Sequence, residues 1–344
     1  MYRSGEIVKE FKYKSLIALL ALCFSTAVVA AEDPAKDAEP NKKTKEEKPK
    51  RVQTVADIFE QPGVLTPRGS FVIDSSLSYT QNSSNTISVV GYSVLPSLIV
   101  GLIQASDIDR TTITFGLSGR YGITNRLEVE VRIPWVYRSD SISERSAGIG
   151  QEEDKLIDLD GNGLGDIEAG FKYQLNMNTA PYWIGSLRFK STTGDSPYEG
   201  SPDDLPTGSG FPSIEPGLTM IMPIDPAVIY MNTSYIWNIE DDVDLAGTKA
   251  SIDLGDTISF GAGMGFAVNP KFSFSLGLNH KTIFKSKVSG VENFNAKVLQ
   301  LDSLSVGANY AVSRDTTINV GASAGLTADA PDFQLTVRIP YTLK

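Results

Sequence analysis

Four oxygen-bearing side chains are spaced for chemistry in "LIDLDGNGLGDIEAGFKYQL", residues 156–175. Asp158, Asp160 and Asn162 alternate ahead of Gly163, and Asp166 follows. With the Leu164 carbonyl they have the ligand spacing of an EF-hand-type loop, which would hold a structural Ca²⁺. The twelfth position, where such a loop places a bidentate Glu, is Ala169, so a Gly/Asn/Asp turn is the competing reading. The second candidate is His280, the single histidine of the chain, with Thr282 two residues on. A hydroxyl beside an imidazole is the start of a nucleophile–base pair, but no acid adjoins it in the sequence. Phosphate loops, Cys/His metal spacings and nucleophile elbows are absent from the sequence, so no enzyme and no further cofactor is expected.

The elements that position these residues are strands. From Gly69 onward apolar and polar residues alternate over segments of about ten residues. In "RLEVEVRIPWVYR", Leu127, Val129, Val131, Ile133, Trp135 and Tyr137 share one face, and Glu128, Glu130, Arg132 and Arg138 the other. Twelve such segments are expected: 69–81, 110–123, 126–138, 165–176, 181–192, 211–222, 226–239, 255–268, 271–286, 297–312, 315–328 and 332–343. Their connections alternate between short turns ("ITN", "MNTA", "PID", "NP", "SRD") and long polar stretches at 82–109, 139–164, 193–210, 240–254 and 287–296. A two-sheet sandwich has no reason for that regularity, whereas a membrane β-barrel places short turns on the periplasmic side and long loops outside. Aromatic residues gather near segment ends (Tyr79, Trp135, Tyr137, Tyr173, Trp183, Tyr235, Trp237, Tyr310, Tyr341), as interfacial girdles do. The expected fold is all-β: a transmembrane antiparallel barrel of about twelve strands spanning 69–344.

What precedes the barrel supports export. Residues 1–30 combine a basic start with the apolar run "SLIALLALCFSTAVVAA", of signal-peptide length, with cleavage expected after Ala30 or Ala31. Cys23, the only cysteine, falls inside that run and is preceded by Leu22, where a lipoprotein needs a small residue. The rest of the chain therefore has no disulfide. The full chain carries a formal charge of −10, which argues against nucleic acid as a partner. Residues 31–53 are almost entirely charged, Pro or Ala and read as a disordered periplasmic segment. Thr54 to Arg68 reads as a plug helix and lead-in: Val55, Ile58 and Phe59 lie at helical spacing before Pro62-Gly63. A twelve-strand lumen is wide enough to leak unless something occupies it, and this segment is placed to do so.

With the apolar rows facing lipid, the lumen is lined by Asp74, Arg120, Glu128, Glu130, Arg132, Glu168, Lys172, Arg188, Lys190, Glu215, Lys281 and Arg338. Both signs are present, as in ion pairs that shape a wet pore. His280 falls on the lipid-facing row near the outer rim. Outer-membrane lipid hydrolases place a Ser–His pair on such a surface, but without an acid His280 reads as an interfacial residue with no catalytic role. The apolar run "SVVGYSVLPSLIVGLIQASDIDR" in the first outer loop is expected to fold inward or to lengthen its strands.

"GLGDIEAGFKYQL" and "RYGITNRLEVEVRIPWVYR" resemble repeats of the outer-membrane channels named for the meta-pathway of phenol degradation, in which Gly-x-Gly-Asp marks a strand start. "QPGVLTPRGSFVIDSSLSYTQNSSN" and "VGLIQASDIDR" are more similar to the functional-amyloid secretion branch (FapF-type). That resemblance implies a plug helix over Thr54 to Phe59, export of an unfolded amyloid subunit, and a homotrimer built on a periplasmic coiled coil. Here a short Lys/Glu tract stands where the coiled coil would be. The expected function is an outer-membrane pore gated by its N-terminal plug, exporting unfolded polypeptide. The alternatives are a diffusion channel for small apolar or aromatic solutes, and a structural or adhesive barrel without transport.

Overall fold

Burial in this chain runs opposite to that of a water-soluble sheet. In the strand Leu127–Arg145, Trp135 is 53% exposed while Glu128 has no exposed surface. Ile133, Val131 and Tyr137 are likewise exposed, and Arg138 and Asp140 are buried. An apolar outer face and a polar inner face are stable only where the outer solvent is hydrocarbon.

The computed structural model describes residues 65–84, 105–145, 154–198, 205–245, 248–289, 291–292 and 297–343. The signal peptide, the charged segment, the plug helix with Val55, Ile58 and Phe59, and the apolar core of the first outer loop lie outside them. No helix occurs among the described residues.

Among the described residues seventeen strands follow one another: β1 (Phe71–Ser84), β2 (Ala105–Thr124), β3 (Leu127–Arg145), β4 (Asp154–Leu164), β5 (Glu168–Gln174), β6 (Tyr182–Lys190), β7 (Ser213–Ile224), β8 (Ala227–Asn238), β9 (Asp241–Leu245), β10 (Thr248–Asp253), β11 (Thr257–Asn269), β12 (Phe272–Ile283), β13 (Lys287–Val288), β14 (Val291–Glu292), β15 (Leu299–Ala311), β16 (Thr317–Gly325) and β17 (Phe333–Leu343). Neighbours pair antiparallel, and β2 pairs with both β1 and β3, which closes the sheet into a ring. β4 and β5 are two halves of one stave: β3 pairs with β5 from Leu127 to Arg132 and with β4 from Trp135 to Arg145. The wall therefore has twelve staves, the number read from the alternation. Closure leaves no strand edge to be satisfied by lipid, which cannot hydrogen-bond.

Three expected loops prove more regular than the alternation suggested. β3 continues to Arg145 and β4 begins at Asp154, so most of 139–164 is an extended hairpin. β9 and β10 form a hairpin inside 240–254, and with β13 and β14 they make a separate four-stranded sheet. These segments leave the hydrocarbon, so their outer faces need not be apolar and the period-two signal fades while the pairing persists.

Candidate functional site

The inner wall carries its charges in pairs that the strand register sets up. Asp74 on β1 is 1% exposed and meets Arg338 of β17, with Arg120 of β2 at 3.7 Å. Next round the ring, Lys172 Nζ stands 2.7 Å from Glu130 Oε2 and 3.6 Å from Glu128 Oε1, because Glu128 and Lys172 are direct cross-strand partners. Arg188 on β6 bridges Glu168 at 3.2 Å and Glu215 at 3.6 Å. A buried charge is tolerable only with such partners. The array runs continuously from β17 through β1 to β7. From β8 to β16 the inner rows are instead uncharged and mostly small, represented by Gly265, Ser275, Ser305 and Asn309, with Tyr230 of β8 lying over Gly263 and Gly277 and Lys281 at their outer end.

At the short-turn end an apolar residue enters this polar interior. Leu65 is 4% exposed and packs with Ile184, Ile221 and Val228, flanked by Tyr182, Tyr230 and Ala267. These belong to β6, β7, β8 and β11, and β8 lies across the ring from β1. The lead-in is anchored on the near side as well. Thr66 donates its backbone N–H to Glu128 Oε2 at 2.7 Å, Arg68 N–H donates to Asn125 Oδ1 at 3.2 Å, and Gly69 N–H donates to the Gly122 carbonyl at 2.8 Å. Gly122 is required there: a Cβ would run into the carbonyls of Thr66 and Pro67.

At the opposite end, Asp166 binds the outer connection 191–212 to the wall. Its Oδ1 accepts the Gly194 N–H at 3.1 Å; its Oδ2 accepts the Ser209 N–H at 2.9 Å, the Ser209 hydroxyl at 2.8 Å and Lys190 Nζ at 3.1 Å. Gly194 and Gly208 lie back to back, a Cβ on either coming within 2.6–2.8 Å of the other's backbone. Phe211, fully buried, meets Tyr198 edge to face at 5.6 Å.

The sequence profile of a family whose description refers to the MetA pathway of phenol degradation matches residues 110–343, more than half of the chain. The chain belongs to this family. Among solved structures it is similar to an outer membrane channel from Pseudomonas putida F1, at 16% identity and a TM-score of 0.59, covering 82% of this chain and 99% of that one. Weaker likenesses include the CymD monoaromatic hydrocarbon channel (12% identity, TM-score 0.41, 80% and 88% covered). Another is the Pseudomonas putida toluene transporter TodX (9%, 0.39, 80% and 90%). At 16% identity the likeness to the Pseudomonas putida F1 channel shows a shared barrel fold. The match reaches the family named in the sequence reading, not its amyloid-export branch.

Each residue expected to face inward stands on the row opposite the exposed apolar side chains, Arg132 and Lys281 included. The calcium reading of 158–166 needs correction. Asp158, Asp160 and Asn162 sit in β4, paired with Ser141, Ser139 and Tyr137. A regular strand does not wrap round an ion as an EF-hand loop does, so these side chains line one outer face and do not enclose a site. Asp166 is turned inward to hold 191–212 instead. Among the described residues no group of three or more His, Cys, Asp or Glu is placed to hold a metal. Leu65 and the anchoring role of Asp166 were missed because both contacts join residues remote in sequence.

Proposed function

We propose that this family member is a channel of the Gram-negative outer membrane that passes small apolar or aromatic compounds, gated by the residues ahead of β1. The exported N-terminus, the exposed apolar belt and an even number of staves support that location. The observation that carries the reading is Leu65 in its apolar cluster, set across an otherwise polar bore. An apolar floor excludes hydrated ions by dewetting while it accepts an apolar solute. The paired charges of β17 to β7 cancel one another, so the neutral arc from β8 to β16 is the side along which an uncharged molecule meets least resistance. In this reading Val55, Ile58 and Phe59 extend the gate beyond Leu65. An unfolded polypeptide would need the same floor removed over a much wider opening, so a small solute is the cargo the floor supports. The family's description, with its aromatic substrate, agrees.

Planar-bilayer recording of a variant lacking 54–65 tests the gate: conductance rises, and an unchanged conductance removes it. Uptake of radiolabelled toluene by a porin-deficient Gram-negative host tests the cargo. Equal uptake with and without the protein removes the aromatic assignment.

A further inference from the structure

His280 is not isolated. Its Nδ1 lies 2.5 Å from Asp302 Oδ1, and its Nε2 lies 3.0 Å from Thr282 Oγ1. Asp302 stands directly across from His280 on β15, and so supplies the acid that the sequence around His280 lacks. A carboxylate can only accept, so Nδ1 carries the hydrogen toward Asp302, and in the neutral imidazole Nε2 is then the acceptor of the Thr282 hydroxyl. This is the acid–imidazole–hydroxyl relay of nucleophilic acyl transfer, recognised by geometry and roles whatever the fold.

The relay stands on the lipid-facing row. Phe260, Leu278 and Leu304 around it are exposed at 44%, 55% and 38%. Thr282 shares its cross-strand row with Ile258 and, beyond it, Tyr235, an exposed aromatic of the outer belt. That belt lies at the boundary between head groups and acyl chains, where the ester bonds of a membrane lipid sit. Ionisable side chains facing lipid are costly and call for a functional reason. Gln300 stands directly opposite Thr282 and on the same face, and carries a carboxamide of the kind that donates to an oxyanion.

We propose that Thr282, His280 and Asp302 form an acyl-ester hydrolase site for lipids of the outer leaflet. Thr282 Oγ attacks the ester carbonyl while His280 Nε2 takes its proton. The carbonyl–alkoxy bond breaks, the alkoxy oxygen takes that proton, and the acyl group remains as an ester on Thr282. Water, deprotonated by His280, hydrolyses that ester; the fatty acid leaves and Thr282 regains its hydrogen. Asp302 is the positioning residue, holding the imidazole in the tautomer the first step needs.

The test uses the purified full chain in mixed micelles with a radiolabelled diacyl phospholipid, and separately with a long-chain fluorophosphonate probe. Expected are released fatty acid and a phosphonyl adduct that mass spectrometry locates on Thr282. T282A abolishes both, T282S retains both, and H280N lowers release by at least ~100-fold. D302N shifts the pH profile of release, which loss of a merely structural contact would not do. Unaltered conductance of T282A shows that the barrel is intact. No adduct at Thr282 and no release above T282A overturn the proposal. Turnover of a soluble short-chain ester with none of the phospholipid overturns the lipid assignment.

Discussion

The backbone N–H of Thr66 donates to Glu128 at 2.7 Å, and Glu128 has no exposed surface. One carboxylate of the wall thus holds the chain that crosses the bore, and Lys172 stands 3.6 Å from its other oxygen. Hydrogen bonds to a charged group contribute about 1.5–3 kcal/mol each. Glu128→Ala therefore loosens the lead-in, with more frequent and larger openings in single-channel recordings. Glu128→Gln keeps an acceptor for Thr66 and shows a smaller effect.

Leu65 predicts a second change at the same end. Leu65→Ala removes the residue that seats against Ile184, Ile221 and Val228. A Leu-to-Ala change in a packed cluster costs roughly 2–5 kcal/mol. Because the barrel wall does not depend on it, the loss appears as gating rather than unfolding: conductance rises while the heat-modifiable band on a gel is unmoved. Unfolding at lower temperature, with conductance unchanged, would contradict this.

Asp166 accepts three hydrogen bonds from 191–212 and one from Lys190. Asp166→Ala removes all of them and releases the outer connection. Protease added to intact cells then cleaves within 191–212 faster than in the wild type, and Asp166→Asn is intermediate.

Asp74 serves two arginines, so its loss leaves both without their shared partner. Breaking a buried pair from one side costs about 3–5 kcal/mol. Asp74→Ala lowers the temperature at which the folded band disappears by more than Arg338→Gln does, since in the latter Asp74 keeps Arg120 at 3.7 Å.

Adjacent residues on β15 separate bore from lipid. Ser305 stands on the neutral inner row and Leu304 on the exposed outer one. Ser305→Trp lowers aromatic uptake several-fold, and Leu304→Trp leaves it unaltered.

The staves were legible because lipid demands an apolar residue at every second position, so the pattern is written locally in "RLEVEVRIPWVYR" and its counterparts. The inward rows came with it, since one register assigns both faces. The ends of β3 and β4 were not legible, because Ser139, Asp140 and Ser141 are beyond the belt and obey no such demand. Asp166 was read as a ligand because its neighbours Asp158 and Asp160 carry oxygen at the right spacing. Its real partners, Gly194 and Ser209, are fixed only when the connection folds back. Asp302 was invisible beside His280 for a similar reason: only the pairing of β12 with β15 brings them together.

The confinement of fixed ions to one arc has a consequence for whatever passes. Paired, they leave little net charge, but their remaining hydrogen-bonding atoms all lie on one side of the bore, opposite side chains that bear no charge. On the proposed function, a molecule with a hydroxyl at one end and a bare ring at the other descends with the hydroxyl toward the carboxylates and guanidinium groups and its ring on the uncharged side, so that its orientation is fixed before it reaches Leu65.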